Sequence, residues 1–151
     1  MSDYIPHTNT LTYTIENFAF STLTRDQLID IYWDGRTFSR LSEVEINNKY
    51  EMLEFVDKKH HDFIHKNNDQ IKYEQKTFTQ RGCKCCPSAM VGAGRSFDLE
   101  RFTQIAGDLI YIIVSNVNFP EIKIKFIHGR DLIEKYPTGQ IPSKDHDEFF
   151  N

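Results

Sequence analysis

The segment from residue 62 to residue 76 constrains the fold most, because it predicts two short strands joined by a tight turn. The turn falls at Asn67–Asp69, where side chains of this kind favour a reversal of chain direction. If Asn68 lies at the centre of the turn, Asp62 and Glu74 are equally distant from it and face each other across the hairpin. Their Cβ atoms would then lie roughly 5 Å apart. The sequence therefore predicts a carboxylate pair on one face of a β-hairpin.

A lysine follows this pair on the same strand. Glu74 and Lys76 are two residues apart, so both side chains point to the same face of a strand. Two carboxylates at this spacing can share one hard divalent cation bound through oxygen atoms. The alternative is that Glu74 and Lys76 are ordinary solvent-facing residues of an edge hairpin.

Length and composition predict one globular domain covering residues 1–151. Apolar residues make up 39% of the chain and charged residues 26%, which is typical of a folded protein with its own core. Residues 1–9 are expected to form a loose terminus. The longest apolar run, Leu109–Val114, is too short to cross a membrane. The N-terminus also lacks the basic and apolar regions of a secretory signal.

Cysteine content and net charge bear on location and partners. Cys83, Cys85 and Cys86 form a crowded, odd-numbered set, which favours a reducing compartment and hence the cytoplasm, of a bacterial or phage-infected cell. The net charge of −4 argues against nucleic-acid binding, since phosphate contacts supply much of that affinity. A local cluster of carboxylates would be partly neutralised by a bound metal ion.

Periodicity in the first half of the chain predicts a strand and two helices. Thr10–Phe20 alternates in part and predicts a strand. Thr24–Gln27 has capping-box spacing and predicts a helix ending near Gly35. Ser42–Glu45 repeats that spacing and predicts a second helix, which either continues towards residue 56 or stops near residue 50. In the second case Met52–Asp57 forms a strand of its own.

The second half of the chain alternates between helical and strand patterns. Ser96 is expected to cap a helix that stops at Gly107, before a central strand at Leu109–Val114. Ile122–Phe126 alternates as a half-buried strand, and Asp131–Tyr136 predicts a short helix. The predicted fold class is therefore α/β, with a mixed β-sheet flanked by helices.

The chain resembles the PD-(D/E)xK nuclease superfamily in three features: the acid Asp62 on the hairpin, the Glu74-Gln75-Lys76 triplet, and the helix and two strands that follow. This resemblance spans roughly residues 42–126 and implies a restriction-endonuclease-like core. It implies that Asp62 and Glu74 bind Mg²⁺, with Mn²⁺ as a substitute, and that Lys76 assists the attacking water. The three residues would together be catalytic.

The chain departs from the pattern of this family in one place. His61 precedes Asp62 where the pattern has proline, although many members also lack that proline. Many members use an additional glutamate from the preceding helix. Three glutamates are candidates, and the sequence does not rank them: Glu43, Glu45 and Glu51.

A second set of residues also spells acid and E-x-K, namely Asp108, Glu121 and Lys123. Turn-forming residues here centre near Asn118, so position 108 would pair with residues close to 128 and not with Glu121. We therefore reject this set as a site.

The loop between residues 79 and 95 follows the second strand of the hairpin and carries Arg81, Lys84 and Arg95. These residues are expected to contact nucleic acid, and the alternative is a solvated loop with ordinary basic residues. The three cysteines are either free thiols or zinc ligands with one of the nearby histidines at 60, 61 and 65. Elsewhere, Tyr32 and Trp33 are expected to pack in the core, and Phe149 and Phe150 to dock onto the domain.

Together these expectations predict a metal-dependent endonuclease of restriction, homing or phage type, which hydrolyses DNA phosphodiester bonds. Because one site per chain cuts one strand, double-strand cleavage implies a homodimer or higher homo-oligomer. The alternative is a non-catalytic nucleic-acid-binding or anti-restriction protein on the same fold, which the acidic net charge favours slightly.

Overall fold

A capping box starts the first helix where the sequence predicts it. The computed structural model describes residues 4–58, 61–87, 90 and 94–151. Thr24 accepts a hydrogen bond from the Gln27 backbone N–H at 3.1 Å, and the Gln27 side chain accepts one from the Thr24 N–H at 2.9 Å. Helix α1 spans Arg25–Trp33.

The second helix begins earlier than the sequence pattern suggests. Helix α2 spans Gly35–Lys49, and the Asp34 side chain caps it by accepting from the Thr37 N–H. Ser42, the predicted start, lies inside the helix and is buried. The prediction was wrong because Ser42 has the spacing of a cap but packs against the sheet. The two helices therefore meet at Asp34 with almost no connection between them.

Three antiparallel strands follow α2, which decides between the two alternatives for residues 50–58. The strands are β2 (Leu53–Lys58), β3 (His61–His65) and β4 (Asn68–Phe78). Together they form a meander in which β3 lies between β2 and β4. The Lys59–His60 link is outside the described residues.

A helical crossover then makes the sheet mixed. Helix α3 (Leu99–Gly107) is capped by Asp98, two residues after the predicted cap, and leads into β6 (Leu109–Ser115). Strand β6 runs parallel to β4, and all of its residues are buried, as expected for a central strand. Strands β7 (Glu121–His128) and β1 (Leu11–Thr14) complete the sheet in antiparallel orientation. Its order is β1-β7-β6-β4-β3-β2.

The C-terminal segment packs on one face of this sheet. Helix α4 spans Gly129–Lys135, the short strand β8 (Gln140–Ile141) pairs with β5 (Cys83–Lys84), and α5 spans His146–Phe149. The predicted docking of Phe149 and of the adjacent Phe150 is confirmed, since both are buried.

Two apolar cores cover the two faces of the sheet. The first lies between the sheet and α2, and its fully buried members include Phe38, Ile46, Phe63 and Tyr73. The second lies beneath α3, α4 and α5 and includes Phe78, Phe102, Leu132 and Phe149. Strand β6 contributes side chains to both cores. The fold is therefore an α/β layer structure with a mixed six-stranded sheet between helices.

Residues 4–9 pack against the domain, where the sequence predicts a loose terminus. The Tyr73 hydroxyl donates to the Tyr4 carbonyl at 2.7 Å, and a His7 ring nitrogen lies 2.6 Å from the Tyr50 hydroxyl. Buried tyrosine hydroxyls need partners, and this segment supplies them. None of the described helices is both long and apolar enough to cross a membrane.

Candidate active site

The β3–β4 hairpin has the predicted register, although its turn lies elsewhere. Phe63 pairs with Tyr73 and Ile64 with Lys72, and the same register sets Asp62 opposite Glu74. The two strands leave only residues 66 and 67 between them, so the turn precedes Asn68. An irregularity near the turn shifts the register back, as a β-bulge does. The displacement of the turn and the register shift at the bulge offset each other, so Asp62 still faces Glu74.

The Asp62 carboxylate is held against β4. One of its oxygens accepts a hydrogen bond from the Gln75 backbone N–H at 2.9 Å. The Gln75 side chain points to the other face, where its Nε2 donates to the Ser42 hydroxyl of α2 at 2.5 Å. These bonds fix the position of the acid at the start of β3 and fasten α2 across the middle of β4.

Glu74 is half-buried and lies beside Tyr111 of the parallel strand β6. Its pKa is raised from 4.5 to about 9, chiefly by burial and next by its hydrogen bond with the Asp62 side chain. Lys76 acts in the opposite direction and lowers the pKa of Glu74. Two carboxyl groups this close share either a proton or a cation at neutral pH. The pair is therefore suited to a positive ion.

Of the three glutamates that the sequence left open, Glu43 is the one that faces this pair. Burial first and then the negative charge of Asp62 raise its pKa to about 6, against the opposing effect of the Arg40 guanidinium 3.6 Å away. Glu45 instead accepts a hydrogen bond from the Tyr13 hydroxyl at 2.5 Å, and Glu51 is exposed before β2. Helix α2 thus adds a third carboxylate near the hairpin.

Lys76 lies on the same face of β4 as Glu74 and is half-buried. Its positive charge acts on Glu74 and also on the thiols of Cys85 and Cys86. The site therefore joins a cation to the carboxylates, as the E-x-K spacing predicts. The sequence-predicted Asp62, Glu74 and Lys76 are all brought together.

The donor set is compatible with Mg²⁺, although the carboxylates are not arranged as a preformed cage. Across the residues that the structure describes, no group of three or more histidine, cysteine, aspartate or glutamate side chains is placed to hold a metal ion. Magnesium needs no such group, since it keeps several waters and binds proteins through one or two carboxylates. Asp62 and Glu74 supply two oxygen-bearing groups of that kind, and Mn²⁺ accepts the same ligands.

The cysteines and histidines have other roles among the described residues. The three thiols are buried and free, with the sulfur atoms of Cys83 and Cys85 3.8 Å apart. His65 is buried, and its Nδ1 accepts from the Asn67 N–H at 3.1 Å, so it stabilises the hairpin turn. His60 lies outside the described residues. The described part of the chain thus offers no zinc site built on these thiols.

The register of β6 and β7 keeps Asp108 apart from Glu121 and Lys123, the other two residues of the set rejected on sequence grounds. Ile110 pairs with His128, which puts Asp108 at the opposite end of the strand pair from Glu121. Glu121 and Lys123 pair with each other at 3.7 Å near the surface. The sequence argument against this set is confirmed.

Two of the three predicted nucleic-acid contacts share a groove, and the third does not. Arg81 and Lys84 line a cavity together with Arg36 and Trp33 of the α1–α2 junction, whereas Arg95 is exposed ahead of α3. The prediction that Trp33 packs in the core was wrong, because its side chain is 45% exposed.

In α1 the inward face consists of Leu28, Ile29 and Tyr32, and Trp33, although four residues after Ile29, is the last residue of the helix and lines the cavity. The next residue in the groove, Arg36, was also missed by sequence reasoning. Arg36 lies in the first turn of α2, because that helix begins at Gly35 and not near the predicted start at Ser42.

The chain matches no protein-family model, no curated protein and no solved structure.

Proposed function

We propose that this protein is a metal-dependent endonuclease that hydrolyses DNA phosphodiester bonds. The observation that carries the proposal is the convergence of Asp62, Glu74 and Lys76 on one face of the β3–β4 hairpin, with Glu43 beside them. The Asp62 and Glu74 carboxylates next to one lysine suit the binding of a cation and an anionic phosphate at the same place, and Glu43 adds negative charge nearby.

The element order supports a restriction-endonuclease-like core. Helix α2 precedes the meander β2–β4, and α3 then carries the chain to β6, which lies parallel to β4. The E-x-K triplet lies on the third strand of the meander, in the middle of the sheet. This is the sequence of elements that the resemblance to PD-(D/E)xK nucleases implies.

Each side chain has a distinct part in the proposed reaction. Asp62 and Glu74 would hold Mg²⁺, which when bound makes a coordinated water more acidic and offsets negative charge on the phosphate. The Gln75 N–H keeps the Asp62 carboxylate in a single orientation. Lys76 orients the attacking water or stabilises charge that develops on the phosphate oxygens. Glu43 adds negative charge at the edge of the site, where it acts on Asp62 and Glu74.

The experiment is cleavage of plasmid, duplex, branched and single-stranded DNA with Mg²⁺, with Mn²⁺ and with EDTA. Lys76→Ala and Glu74→Gln should each lower the cleavage rate by about a hundredfold or more, as expected when one charge-stabilising group is lost. Lys72→Ala is the matched control, because Lys72 lies on the same strand and face two residues before Glu74. Cleavage that continues in EDTA, or that Lys76→Ala leaves intact, would contradict the proposal.

A non-catalytic nucleic-acid-binding protein on the same fold is the second candidate. The net charge of −4 and the hydrogen bond that closes the Asp62–Glu74 pair favour it. Such a protein binds DNA equally well with EDTA and after Glu74→Ala, and it cuts none of the four substrates. Sedimentation with and without DNA would test the homo-oligomer that double-strand cleavage requires.

A further inference from the structure

An open groove lies on the α2 side of the sheet, between the α1–α2 junction and the segment that follows β4. We call it the α1–α2 groove; its volume is about 870 Å³, near the upper end of the usual size of ligand pockets. Its lining carries three basic side chains and one acidic side chain: Arg36, Arg81, Lys84 and Asp34. In an acidic protein this is a local excess of positive charge.

The acidic residue of the groove is already engaged. The Asp34 carboxylate accepts hydrogen bonds from the Thr37 N–H at 3.1 Å and from the Thr37 hydroxyl at 2.9 Å. Within the described ranges, Arg81 and Lys84 form no salt bridge that would neutralise them. The charge of Asp34 acts on Arg36, whereas Arg81 and Lys84 remain as cations without an ion-pair partner among the described residues, which is the charge complement of a phosphate backbone.

The wall that carries Arg81 is held in place by a tight turn. The backbone of Thr79 and Gly82 exchanges two hydrogen bonds, of 3.0 and 2.9 Å. Gly82 has φ of +94°, and a Cβ there would lie 2.4 Å from the Ile141 carbonyl oxygen, so the turn requires glycine. At the base of the groove, a Cβ on Gly35 would lie 3.0 Å from the Thr79 methyl group, so the two walls are in close contact.

The groove also exposes a large aromatic ring. Trp33 lines it and keeps 45% of its surface accessible, and it is the single tryptophan of the chain. A basic groove with an accessible aromatic side chain is how proteins bind single-stranded nucleic acid, with cations along the backbone and bases stacked on the ring. Stacking on a side chain requires a base that is free from its own helix stack.

We infer that the α1–α2 groove binds an unpaired stretch of a DNA strand, with a base stacked on Trp33 and phosphates on Arg36, Arg81 and Lys84. The inference rests on the proposed nuclease function for its choice of DNA. Thr77 lines the groove directly after Lys76 in β4, but successive side chains of a strand point to opposite faces, so DNA bound in the groove lies on the face of the strand opposite to the Glu74 and Lys76 side chains. The substrate would then contain a single-stranded flap, gap or branch.

The test is titration of the intact protein with an oligothymidylate of about 12 nucleotides, within the site sizes of such proteins, in EDTA. Stacking on Trp33 should quench the intrinsic tryptophan fluorescence, and a blunt duplex of equal length should not. Three phosphate contacts predict a slope of about −2 for log affinity against log salt. Arg81→Ala and Lys84→Ala should each reduce that slope by about 0.7. Lys135→Ala, on the far side of the sheet, is the control and should leave it unchanged.

A labelled oligonucleotide measures binding when the tryptophan is replaced. Trp33→Ala should weaken binding by about tenfold or more, and Trp33→Phe should retain part of the affinity because it keeps an aromatic face. Because Trp33 is exposed and lies outside both apolar cores, both variants should keep the wild-type circular dichroism spectrum and a melting temperature close to that of wild type. Wild-type affinity in Trp33→Ala overturns the inference, as does unquenched fluorescence at saturation.

Binding in EDTA separates this inference from the proposed function. Quenching by the oligonucleotide without cleavage of any substrate supports the groove as a binding site and overturns the proposed nuclease function. Cleavage of blunt duplex DNA with no quenching by single strands supports the nuclease function and overturns the groove as a binding site. Tighter binding of an oligouridylate than of the oligothymidylate overturns the assignment to DNA.

Discussion

The state of the Asp62–Glu74 pair can be measured through the pH dependence of stability. Glu74 has a pKa of about 9 in the folded protein against 4.5 ordinarily. The folded protein therefore holds one more proton than the unfolded chain between these two pH values. Its contribution to stability is complete below about pH 4.5 and is lost as the pH rises towards 9.

The magnitude follows from the same shift. One proton of difference changes the free energy of unfolding by ~1.4 kcal/mol per pH unit. Between pH 6 and pH 8 this gives roughly 2 kcal/mol after allowance for the partial exposure of Glu74. For a chain of this length the melting temperature should fall by about 4–8 °C. Glu43 adds a smaller change in the same direction, mostly below pH 6.

The perturbation is Glu74→Gln, measured by thermal and urea unfolding in EDTA at pH 6, 7 and 8. Glutamine has the shape of the protonated acid and can donate to Asp62, so the variant should be as stable as wild type at pH 6. At pH 8 it should be the more stable protein by roughly 2 kcal/mol. Glu54→Gln, an exposed position on β2, is the control and should follow wild type. Parallel curves for wild type and Glu74→Gln would refute the reasoning.

Two further predictions concern the framework that positions the site. Gly82→Ala should destabilise the protein by about 2 kcal/mol or more in urea unfolding, because the added Cβ would meet the Ile141 carbonyl oxygen. Gly94→Ala, where a Cβ has open space, is the control and should cost only about 1 kcal/mol. Equal losses of stability in the two variants would contradict the packing argument. Phe149→Ala should lower the free energy of unfolding by about 3–5 kcal/mol, because it leaves a cavity in the second core. Phe97→Ala, at an exposed position, is the control and should lower it by well under half as much. Similar melting temperatures for the two variants would show that α5 does not anchor the chain.

Local pattern predicted most of the elements and part of the site. The Thr24–Gln27 capping box marks the start of α1 correctly, and the apolar run at Leu109–Val114 marks the central strand. These signals depend on a residue and its near neighbours, so a single chain carries them completely. The facing of Asp62 and Glu74 was also predictable, although a β-bulge near the turn restored a register that the turn alone would have shifted.

Other features depended on contacts between distant segments. Glu43, and not Glu45 or Glu51, lies near Asp62 because α2 crosses β4 with Ser42, the residue before Glu43, hydrogen-bonded to Gln75. The sequence spacing of the three glutamates carries no information about that crossing. The pKa of Glu74 likewise depends on burial beneath neighbouring segments, which no local pattern reports.

By itself, the sequence determined that the chain forms one α/β sheet structure and that a carboxylate pair and a lysine share a hairpin face. Both follow from alternation along a strand and from the arithmetic of a turn. Only the tertiary structure placed Arg36, Trp33 and Arg81 in one groove and left the indole ring exposed. The reason is that a groove between two elements depends on how those elements pack, and packing joins residues that are far apart in the chain.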